Sequence, residues 1–259
     1  MANETAGASQ PTTAPPGAPF LAPVPRVTAT IEVQRWGSRT SPVAFKCDDG
    51  NVYAFKPPIY PKENVTDHVA ARIARIISAP VPASACGVVP DALMTGDRVI
   101  ERFRGKLSHA TRRIPDVTDA KNVAQCYALR NRSRLAKLQV LYSLLQGNDH
   151  QVLVGKSPPH EVWSVDHGLF LPGGQAWSAA TLASQADKVS LDPWFTAAAL
   201  TPAELKTAAV DLEKLTDEVI GQITAEVPSE WNSIPADLEG LRTFLVQRRT
   251  LLNDLIQKS

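Results

Sequence analysis

The sequence predicts an α+β protein in which an antiparallel sheet comes first and a mostly helical region follows. Between residues 27 and 55, apolar and polar side chains alternate in short runs, which is typical of strands that bury one face. After residue 182, apolar residues recur every three or four positions, which is the period of a helix. A chain of 259 residues is long enough for one large domain or for two lobes that share a cleft.

The composition is ordinary for a soluble globular protein. With 27 basic and 26 acidic residues, the chain has too little net charge to predict nucleic acid or an anionic membrane as a partner. Its three cysteines lack the paired spacing of a zinc site or a disulfide framework, so we expect reduced thiols. The sequence contains no apolar run of the ~20 residues that a membrane helix needs, and no signal-peptide pattern. We therefore expect a cytoplasmic protein.

Residues 1–25 consist mainly of Ala, Pro, Thr and Gly, with almost no charge. Such a segment cannot bury enough apolar surface to offset its ordering entropy, so it predicts a disordered tail. A docking peptide is the alternative, although no residue in the segment indicates a particular partner.

Three strands are predicted after the tail. In the first, alternate residues from Val27 to Val33 share one face. The second and third strands, residues 42–46 and 52–55, flank the turn DDGN, whose residue types favour a hairpin. The N-terminal unit is therefore expected to be an antiparallel sheet.

Two features of this sheet suggest contacts with nucleotide phosphates. The turn between the first two strands contains Gly37 and Ser38, whose backbone N–H groups and hydroxyl could cover phosphates. A solvated turn is the alternative, because the segment has one glycine. Lys56 ends the third strand, where an amine can pair with the α- and β-phosphates. Lys46 directly precedes the hairpin turn and is expected to point to solvent.

A helix is predicted after the third strand, with Asn64 or Thr66 as its N-cap and a buried face from Val69 to Ile77. Asp67 lies in its first turns. An acid at this place can pair with the strand lysine and hold its ammonium group over the phosphates. Stabilisation by the helix dipole alone is the structural alternative.

Residues 86–89 and 98–100 predict two short strands that close a five-stranded sheet. Residues 101–103 then predict the segment that crosses into the helical region. Backbone groups of such a crossing segment usually contact the adenine of a bound nucleotide. Glu101 is therefore a candidate nucleotide contact. The predicted units are residues 1–25, 26–103 and 104–259.

A polar loop and a hairpin follow a predicted helix that ends at Gly147, and the hairpin strands are residues 152–154 and 161–165. Asp149 and Asp166 flank this hairpin. One carboxylate can orient a hydroxyl nucleophile while the other holds magnesium against ATP phosphates. Ordinary turn chemistry is the alternative for both acids. We predict that the two acids face one cavity that the strand lysine also lines.

The C-terminal region predicts three amphipathic helices. They cover residues 182–195, 202–225 and 237–257. A capping box begins at Thr201, with proline at the first helical position. Arg248 and Arg249 are predicted to be solvated.

The order of these parts resembles the HipA-like kinase family, whose small bacterial and phage members belong to the protein-kinase-like superfamily and are distantly similar to phosphoinositide kinases. The resemblance spans residues 27 to about 250. It rests on VTATIEVQRWGSR, VYAFKPP with VTDHVAARIARIISAPVP, GNDHQVLV with VWSVDHGLFL, and VPSEW.

The resemblance implies a two-lobe kinase-like fold with an ATP-binding cleft between a sheet lobe and a helical lobe. It implies that Lys56 contacts phosphate, that Asp67 is its partner and that Asp166 binds Mg²⁺. It also implies transfer of the γ-phosphate of ATP to a hydroxyl, with Ser or Thr of a protein target as the acceptor.

The chain departs from the family at the catalytic loop. Family members generally place a catalytic Asp five residues before a metal-binding Asn that directly precedes the strand. Here Gln151 precedes the strand, and Gln146 stands five residues before it. Either the loop is shortened and Asp149 reaches the substrate, with Asn148 or Gln151 assisting the metal, or the chain is a nucleotide-binding pseudokinase. A pseudokinase would act as a protein-interaction module, such as a toxin–antitoxin or phage–host factor.

Overall fold

The structure is a computed structural model that describes residues 21–38 and 40–259. Most of the predicted tail and Arg39 therefore lie outside the described residues. The strands are β1 Arg26–Arg35, β2 Val43–Cys47, β3 Val52–Phe55, β4 Ser84–Val88, β5 Leu107–Arg112, β6 Val117–Ala120, β7 Gln151–Gly155 and β8 Val162–Val165. The α-helices are α1 Pro61–Ile76, α2 Arg132–Leu145, α3 Ala179–Ala183, α4 Pro202–Ala209, α5 Asp217–Ala225 and α6 Pro235–Lys258.

The first five strands form a closed sheet in the order β1-β2-β3-β5-β4. All neighbouring pairs are antiparallel except β1 and β4, which run parallel at residues 26–28. Phe45, Phe55 and Phe103 fill the interior with edge-to-face ring contacts, whose centroids are 5.1 to 6.4 Å apart. The predicted antiparallel sheet is thus correct for four of the five strand pairs.

The predicted face of β1 is only half correct. Val27 and Ala29 are buried, whereas Ile31 and Val33 are 58% and 46% exposed. The register with β2 shifts between residues 29 and 31 and again between residues 32 and 34. Each shift of this kind moves the following side chains to the other face of the sheet, so strict alternation in the sequence does not persist in the structure.

The predicted closing strand at residues 98–100 is wrong. Two backbone N–H groups, those of Val99 and Ile100, donate to the Asp97 carboxylate, and a 3₁₀ helix follows at Ile100–Phe103. This local capping competes with strand formation. The sheet is closed by β5 instead, so the crossing predicted at residues 101–103 is also wrong, and the chain leaves the closed sheet only after β5.

Helix α1 begins at Pro61 itself, with Tyr60 at the N-cap position and no side-chain cap. Asn64 and Thr66 lie inside the helix, so neither is the cap that we predicted. Proline is well suited to the first helical position because it has no N–H group to satisfy there. The side-chain oxygen Oδ1 of Asn64 instead accepts the backbone N–H of His109 in β5, which ties the helix to the closed sheet.

The second sheet has the order β6-β7-β8, and helices α2 to α6 surround a large apolar core beside it. The hairpin strands β7 and β8 lie where the sequence predicts them, and α2 ends two residues before Gly147. Strand β6 was not predicted.

Two of the three predicted C-terminal helices are interrupted. The segment 182–195 contains only the end of α3 and the start of a 3₁₀ helix, and the segment 202–225 is divided into α4, a 3₁₀ turn and α5. Thr216 caps α5 through the N–H of Val219, which explains the new start. The capping box at Thr201 is confirmed.

The prediction that Arg248 is solvated is wrong, because the residue is 1% exposed. Its guanidinium donates to the backbone carbonyls of Ser143 and Leu144 at the end of α2, and to those of Gln185 and Lys188. Burial lowers the pKa of Arg248 to about 10. Its neighbour Arg249 is partly exposed and donates to the carbonyl of Leu215.

Among the described residues, no helix combines the length and the apolar character that crossing a membrane requires. The three cysteines are buried and unpaired, as expected of reduced thiols.

Candidate functional site

The site is organised around Lys56, which follows the last residue of β3 and is 8% exposed. Its Nζ lies 2.6 Å from Asp67 Oδ2 and 2.5 Å from Asp166 Oδ1. A third carboxylate, that of Glu63, lies 4.0 Å away. The backbone N–H of Lys56 donates to the carbonyl of His109 in β5, which fixes the start of the side chain. The competing Lys46 is exposed, as predicted.

Helix α1 supplies two of the three acids. Glu63 and Asp67 are one helical turn apart and are 1% and 3% exposed. Residues four apart lie on the same face of a helix, so both point toward the strand lysine. Sequence analysis identified Asp67 but missed Glu63. The sequence does contain a signal for Glu63, because it lies four residues before Asp67 and the two acids flank an apolar helix face that is otherwise buried.

The hairpin supplies the third acid. Gln151 is paired with Val165 across β7 and β8, so the loop before β7 and Asp166 after β8 lie at the same end of the hairpin. Asp166 has a φ of +58°, in the left-handed region that non-glycine residues rarely adopt. Such conformations persist only where the surrounding structure holds them, and they concentrate at functional sites. The Asp166 side chain is 47% exposed.

Asp67 joins the lysine to the hairpin. Its second oxygen, Oδ1, accepts the backbone N–H of His167 at 2.7 Å. The His167 ring lies 2.8 Å from the Ser164 hydroxyl, and that hydroxyl lies 2.5 Å from the phenol of Tyr142 in α2. A continuous buried chain of polar groups therefore runs from the strand lysine to helix α2.

Gly168 packs directly against this cluster. A Cβ atom at this position would lie 2.7 Å from Lys56 Nζ, 3.0 Å from Glu63 Cβ and 3.2 Å from Asp67 Oδ2. A contact below 3.0 Å requires one of the two atoms to shift, and here that atom is the buried ammonium nitrogen. Only glycine fits this position without displacing Lys56, a requirement that sequence analysis did not detect.

The cluster has an excess of negative charge, since three carboxylates surround one ammonium group. Burial disfavours the charged form of Lys56, but Asp67 and Asp166 outweigh this effect and raise its pKa. Burial also raises the pKa of Asp67, against the opposing charge of Lys56. Because two donors, the ammonium and the His167 amide, both point at its oxygens, we assign Asp67 as ionised.

The catalytic-loop candidates precede β7, at the same end of the hairpin as Asp166, and among the described residues no hydrogen bond or ion pair joins them to the lysine. Asn148 and Asp149 are exposed, and the side-chain oxygen Oδ1 of Asn148 accepts the backbone N–H of Asp149. Among the described residues, the Asp149 carboxylate has no hydrogen bond or ion pair. Asp149 also has a positive φ of 53°. Whether Asp149 and Asp166 share one cavity with Lys56 stays a prediction.

His150 has a packing role. Its Nε2 lies 2.9 Å from the buried carboxylate of Asp192, and its ring stacks on Trp194 at a centroid distance of 5.8 Å. Asp192 is itself held by the Ser143 hydroxyl of α2. The loop that carries Asp149 is therefore anchored on one side by residues more than forty positions further along the chain.

The other candidates are separate from the lysine cluster. Gly37 and Ser38 are exposed in the turn after β1, where the Ser38 carbonyl accepts the N–H of Ser41. Glu101 accepts from Arg104 and from the backbone of Gly96, so its carboxylate has a local structural role. The chain forms β5 after this residue and does not yet cross into the helical region, and a nucleotide contact by Glu101 stays a prediction.

A magnesium site of the kinase type is compatible with these residues. The described residues contain no group of three or more His, Cys, Asp or Glu that could hold a metal by themselves. Mg²⁺ beside a nucleotide usually takes one or two carboxylates, with phosphates and waters completing its shell. Asp166, with half of its side chain exposed and excess negative charge beside it, fits that role. Gln151 is half-buried at the same end of the hairpin.

Three buried histidines predict a pH-dependent stability. Burial lowers the pKa of His68 and His109 to about 3 and that of His167 to about 4. Because unfolding returns each pKa to about 6.5, the unfolded chain binds more protons below that pH, and stability falls as pH falls. We expect a loss of roughly 1.4 kcal/mol per histidine between pH 7.5 and 5.5, about 4 kcal/mol for the three.

Urea denaturation at the two pH values would measure this loss. His68 is the suitable variant, because neither ring nitrogen has a hydrogen-bond partner among the described residues. His68→Phe should reduce the pH dependence by about a third. Equal free energies of unfolding at pH 7.5 and 5.5 would contradict the assignment of neutral, buried imidazoles.

Comparison with known proteins supports the fold. No protein-family profile matches the sequence. No curated protein sequence matches it either. Among solved structures, the crystal structure of the Helicobacter pylori proinflammatory kinase CtkA is similar, with a TM-score of 0.61 and 14% sequence identity. The similarity covers 91% of this chain and 98% of that one. The chain therefore has a mixed α+β, kinase-like fold.

Proposed function

We propose that this protein is an ATP- and Mg²⁺-dependent kinase that transfers the γ-phosphate to a hydroxyl, with Ser or Thr of a protein target as the acceptor. The observation that carries the proposal is the cluster of Lys56, Asp67 and Asp166, in which a strand, a helix and a hairpin end bring one buried lysine against two acids. The kinase-like fold and the HipA-like order of motifs support it.

Each residue has a role in this proposal that follows from its position. Asp166 would hold Mg²⁺, Lys56 would donate to the α- and β-phosphates, and Asp67 keeps the ammonium in place through the contact described above. Bound Mg²⁺ neutralises charge that develops on the phosphates. Asp149, exposed at the same end of the hairpin, accepts the proton of the attacking hydroxyl.

The proposal is tested first at Asp166. Asp166→Asn keeps the size of the side chain and a hydrogen-bonding oxygen but removes the charge that Mg²⁺ requires. We expect affinity for a Mg²⁺-bound, non-hydrolysable ATP analogue to fall about 100-fold, which corresponds to ~2.7 kcal/mol. Isothermal titration calorimetry with and without Mg²⁺ would measure the change.

Asp116→Asn is the matched control. Asp116 is exposed and has a φ of +50°. It directly precedes β6, which belongs to the same sheet as β8, the strand that Asp166 follows. It should bind the analogue like the wild type. If Asp166→Asn binds Mg²⁺-nucleotide as tightly as Asp116→Asn, the metal assignment is wrong.

The second candidate function is a nucleotide-binding pseudokinase that acts as a protein-interaction module. The catalytic loop favours it, because neutral Gln146 occupies the position where the family has the catalytic Asp, while Gln151 occupies that of the metal-binding Asn. A neutral amide cannot accept the proton of the hydroxyl as a carboxylate does. Asp149 decides between the two functions.

We expect Asp149→Asn to reduce γ-phosphate transfer at least about 100-fold, the lower end of what a general base typically contributes, with unchanged nucleotide affinity. Transfer would be followed with radiolabelled ATP, through autophosphorylation and through labelling of a generic Ser/Thr substrate. Asn148→Ala tests in parallel whether its cap on the Asp149 amide is sufficient to explain any loss. Wild-type protein that binds Mg²⁺-ATP but transfers no phosphate would support the interaction module.

A further inference from the structure

A cavity of about 460 Å³ opens on a face of the protein that the lysine cluster does not line. Its walls come from the end of α1, the segment after it, the first turns of α2, and β8. The lining residues are Ala74, Arg75, Ser78, Ala79, Pro80, Ser133, Arg134, Lys137 and Trp163. Three of them are cationic and none is acidic.

Arg75 and the Nη1 group of Arg134 provide donors that have no hydrogen-bond acceptor in the part of the chain that the structure describes. The Arg75 side chain is exposed and has no hydrogen bond or ion pair with any residue in the described ranges. Arg134 donates through Nε and Nη2 to the carbonyl of Val162, and its Nη1 stands 3.7 Å from Glu161, beyond hydrogen-bond distance. The Arg134 Cζ atom also lies over the Trp163 ring, 4.6 Å from the ring centroid, and this cation–π contact helps to position the guanidinium beside the cavity.

The carboxylates around this cavity do not cancel its positive charge. Lys137 pairs with Asp211 at 2.7 Å, but Asp211 also pairs with Lys214 at 2.6 Å. Glu161 is half exposed and is the single carboxylate paired with Arg134 among the described residues. Burial lowers the pKa of Arg134 despite Glu161, so the protein compensates this charge only in part.

We propose that this cavity binds a phosphate monoester, in the form of a phosphorylated serine or threonine side chain of a peptide. Two guanidinium groups on different elements and the hydroxyl of Ser133 offer donors from separate directions, which suits a tetrahedral dianion. The volume is in the range of sites that hold a whole ligand, so there is room for the residue that carries the phosphate. Pro80 and Trp163 provide apolar surface for that remainder.

This proposal does not depend on the proposed kinase activity, because no residue of the lysine cluster lines the cavity. Failure of one leaves the other intact. If both hold, the chain would recognise one phosphorylated residue at a surface separate from the site that phosphorylates another.

The test is a titration followed by NMR of ¹⁵N-labelled indole groups, of which the chain has five. The probe is N-acetyl-phosphoserine amide. Trp163 should show a saturable shift, identified by its loss in Trp163→Phe. Trp177 and Trp231 are internal references, since they are buried and their indole N–H groups donate to the carbonyls of Lys62 and Leu107.

Arg75→Gln should weaken binding at least about tenfold, because it removes one charge-assisted contact. This exposed residue has no hydrogen bond or ion pair within residues 21–38 and 40–259, so the variant should fold normally. Arg98→Gln, another exposed arginine that does not line the cavity, should bind like wild type. N-acetyl-serine amide should cause no shift.

Three results would overturn the proposal. One is an unchanged Trp163 signal with phosphoserine. Another is equal weakening by Arg75→Gln and Arg98→Gln. The third is inorganic phosphate binding as tightly as phosphoserine, which would reduce the cavity to a site for free anions and exclude the peptide.

Discussion

Replacing Lys56 by methionine is expected to abolish Mg²⁺-ATP binding and to lower the free energy of unfolding by about 3–5 kcal/mol. Methionine has a similar length but no charge. The variant leaves Asp67, Glu63 and Asp166 near one another without the ammonium group that now lies among them. Removing one partner of a buried ion pair is costly because the remaining charge has lost its solvent and its counterion.

Lys46→Met is the matched control for this prediction. Lys46 lies on β2 of the closed sheet and Lys56 directly follows β3 of the same sheet, but Lys46 is exposed. Its replacement should change the unfolding free energy by less than about 0.5 kcal/mol and leave nucleotide binding intact. Urea denaturation and calorimetry on the two variants separate the two effects. Nucleotide binding by a folded Lys56→Met protein at wild-type affinity would remove the basis of the proposed function.

The double variant Lys56→Met/Asp67→Leu separates charge from packing. If the loss in Lys56→Met comes from uncompensated carboxylate charge, removing Asp67, the buried carboxylate in direct contact with the ammonium group, should restore part of the stability. If the loss comes from packing alone, the second substitution should add to it.

Replacing Arg248 by methionine is expected to lower the free energy of unfolding by about 3–5 kcal/mol, with no direct effect on ligand contacts. The guanidinium donates to four backbone carbonyls, two of which belong to the last turn of α2. Carbonyls at a helix end have no intrahelical donor, so the variant would leave them buried and unsatisfied.

Arg249→Met, at the adjacent position, provides the control. Arg249 is partly exposed and pairs with Asp217, which is itself half exposed. Exposed ion pairs of this kind contribute about 0–1 kcal/mol to the free energy of unfolding. Urea denaturation of the two variants would test the difference, and similar losses would contradict the central role of Arg248. Because α2 leads directly into the loop of Asp149, we also expect Arg248→Met to increase hydrogen exchange in residues 146–150.

The elements that sequence analysis located best are those with strong local signals. The β7–β8 hairpin, the strand that ends at Lys56 and the Thr201 capping box depend on periodicity and turn chemistry within about ten residues, and all three are present. The contact between Lys56 and Asp67, which is present, is what the resemblance to HipA-like kinases implies for an acid on the helix after the strand lysine.

The features that sequence analysis missed depend on distant contacts. Arg248 finds its acceptors about 60 and 100 residues earlier, so nothing near it in the chain distinguishes it from the solvated Arg residues of an amphipathic helix. Strand β5 has the mixed sequence LSHATR, and it joins the sheet by pairing with β3 on one side and β4 on the other. Gly168 needs its lack of a side chain because of Lys56, more than a hundred residues away.

The hydrogen bond from the His167 amide to Asp67 makes one backbone proton a reporter on the whole cluster. This amide lies between the hairpin end and helix α1, and its acceptor is the same carboxylate that holds Lys56. Exchange of the proton with deuterium therefore requires the carboxylate to move away, which also loosens the lysine. The exchange rate at this single position measures how often helix α1 and the hairpin separate, without a substrate or an assay of activity.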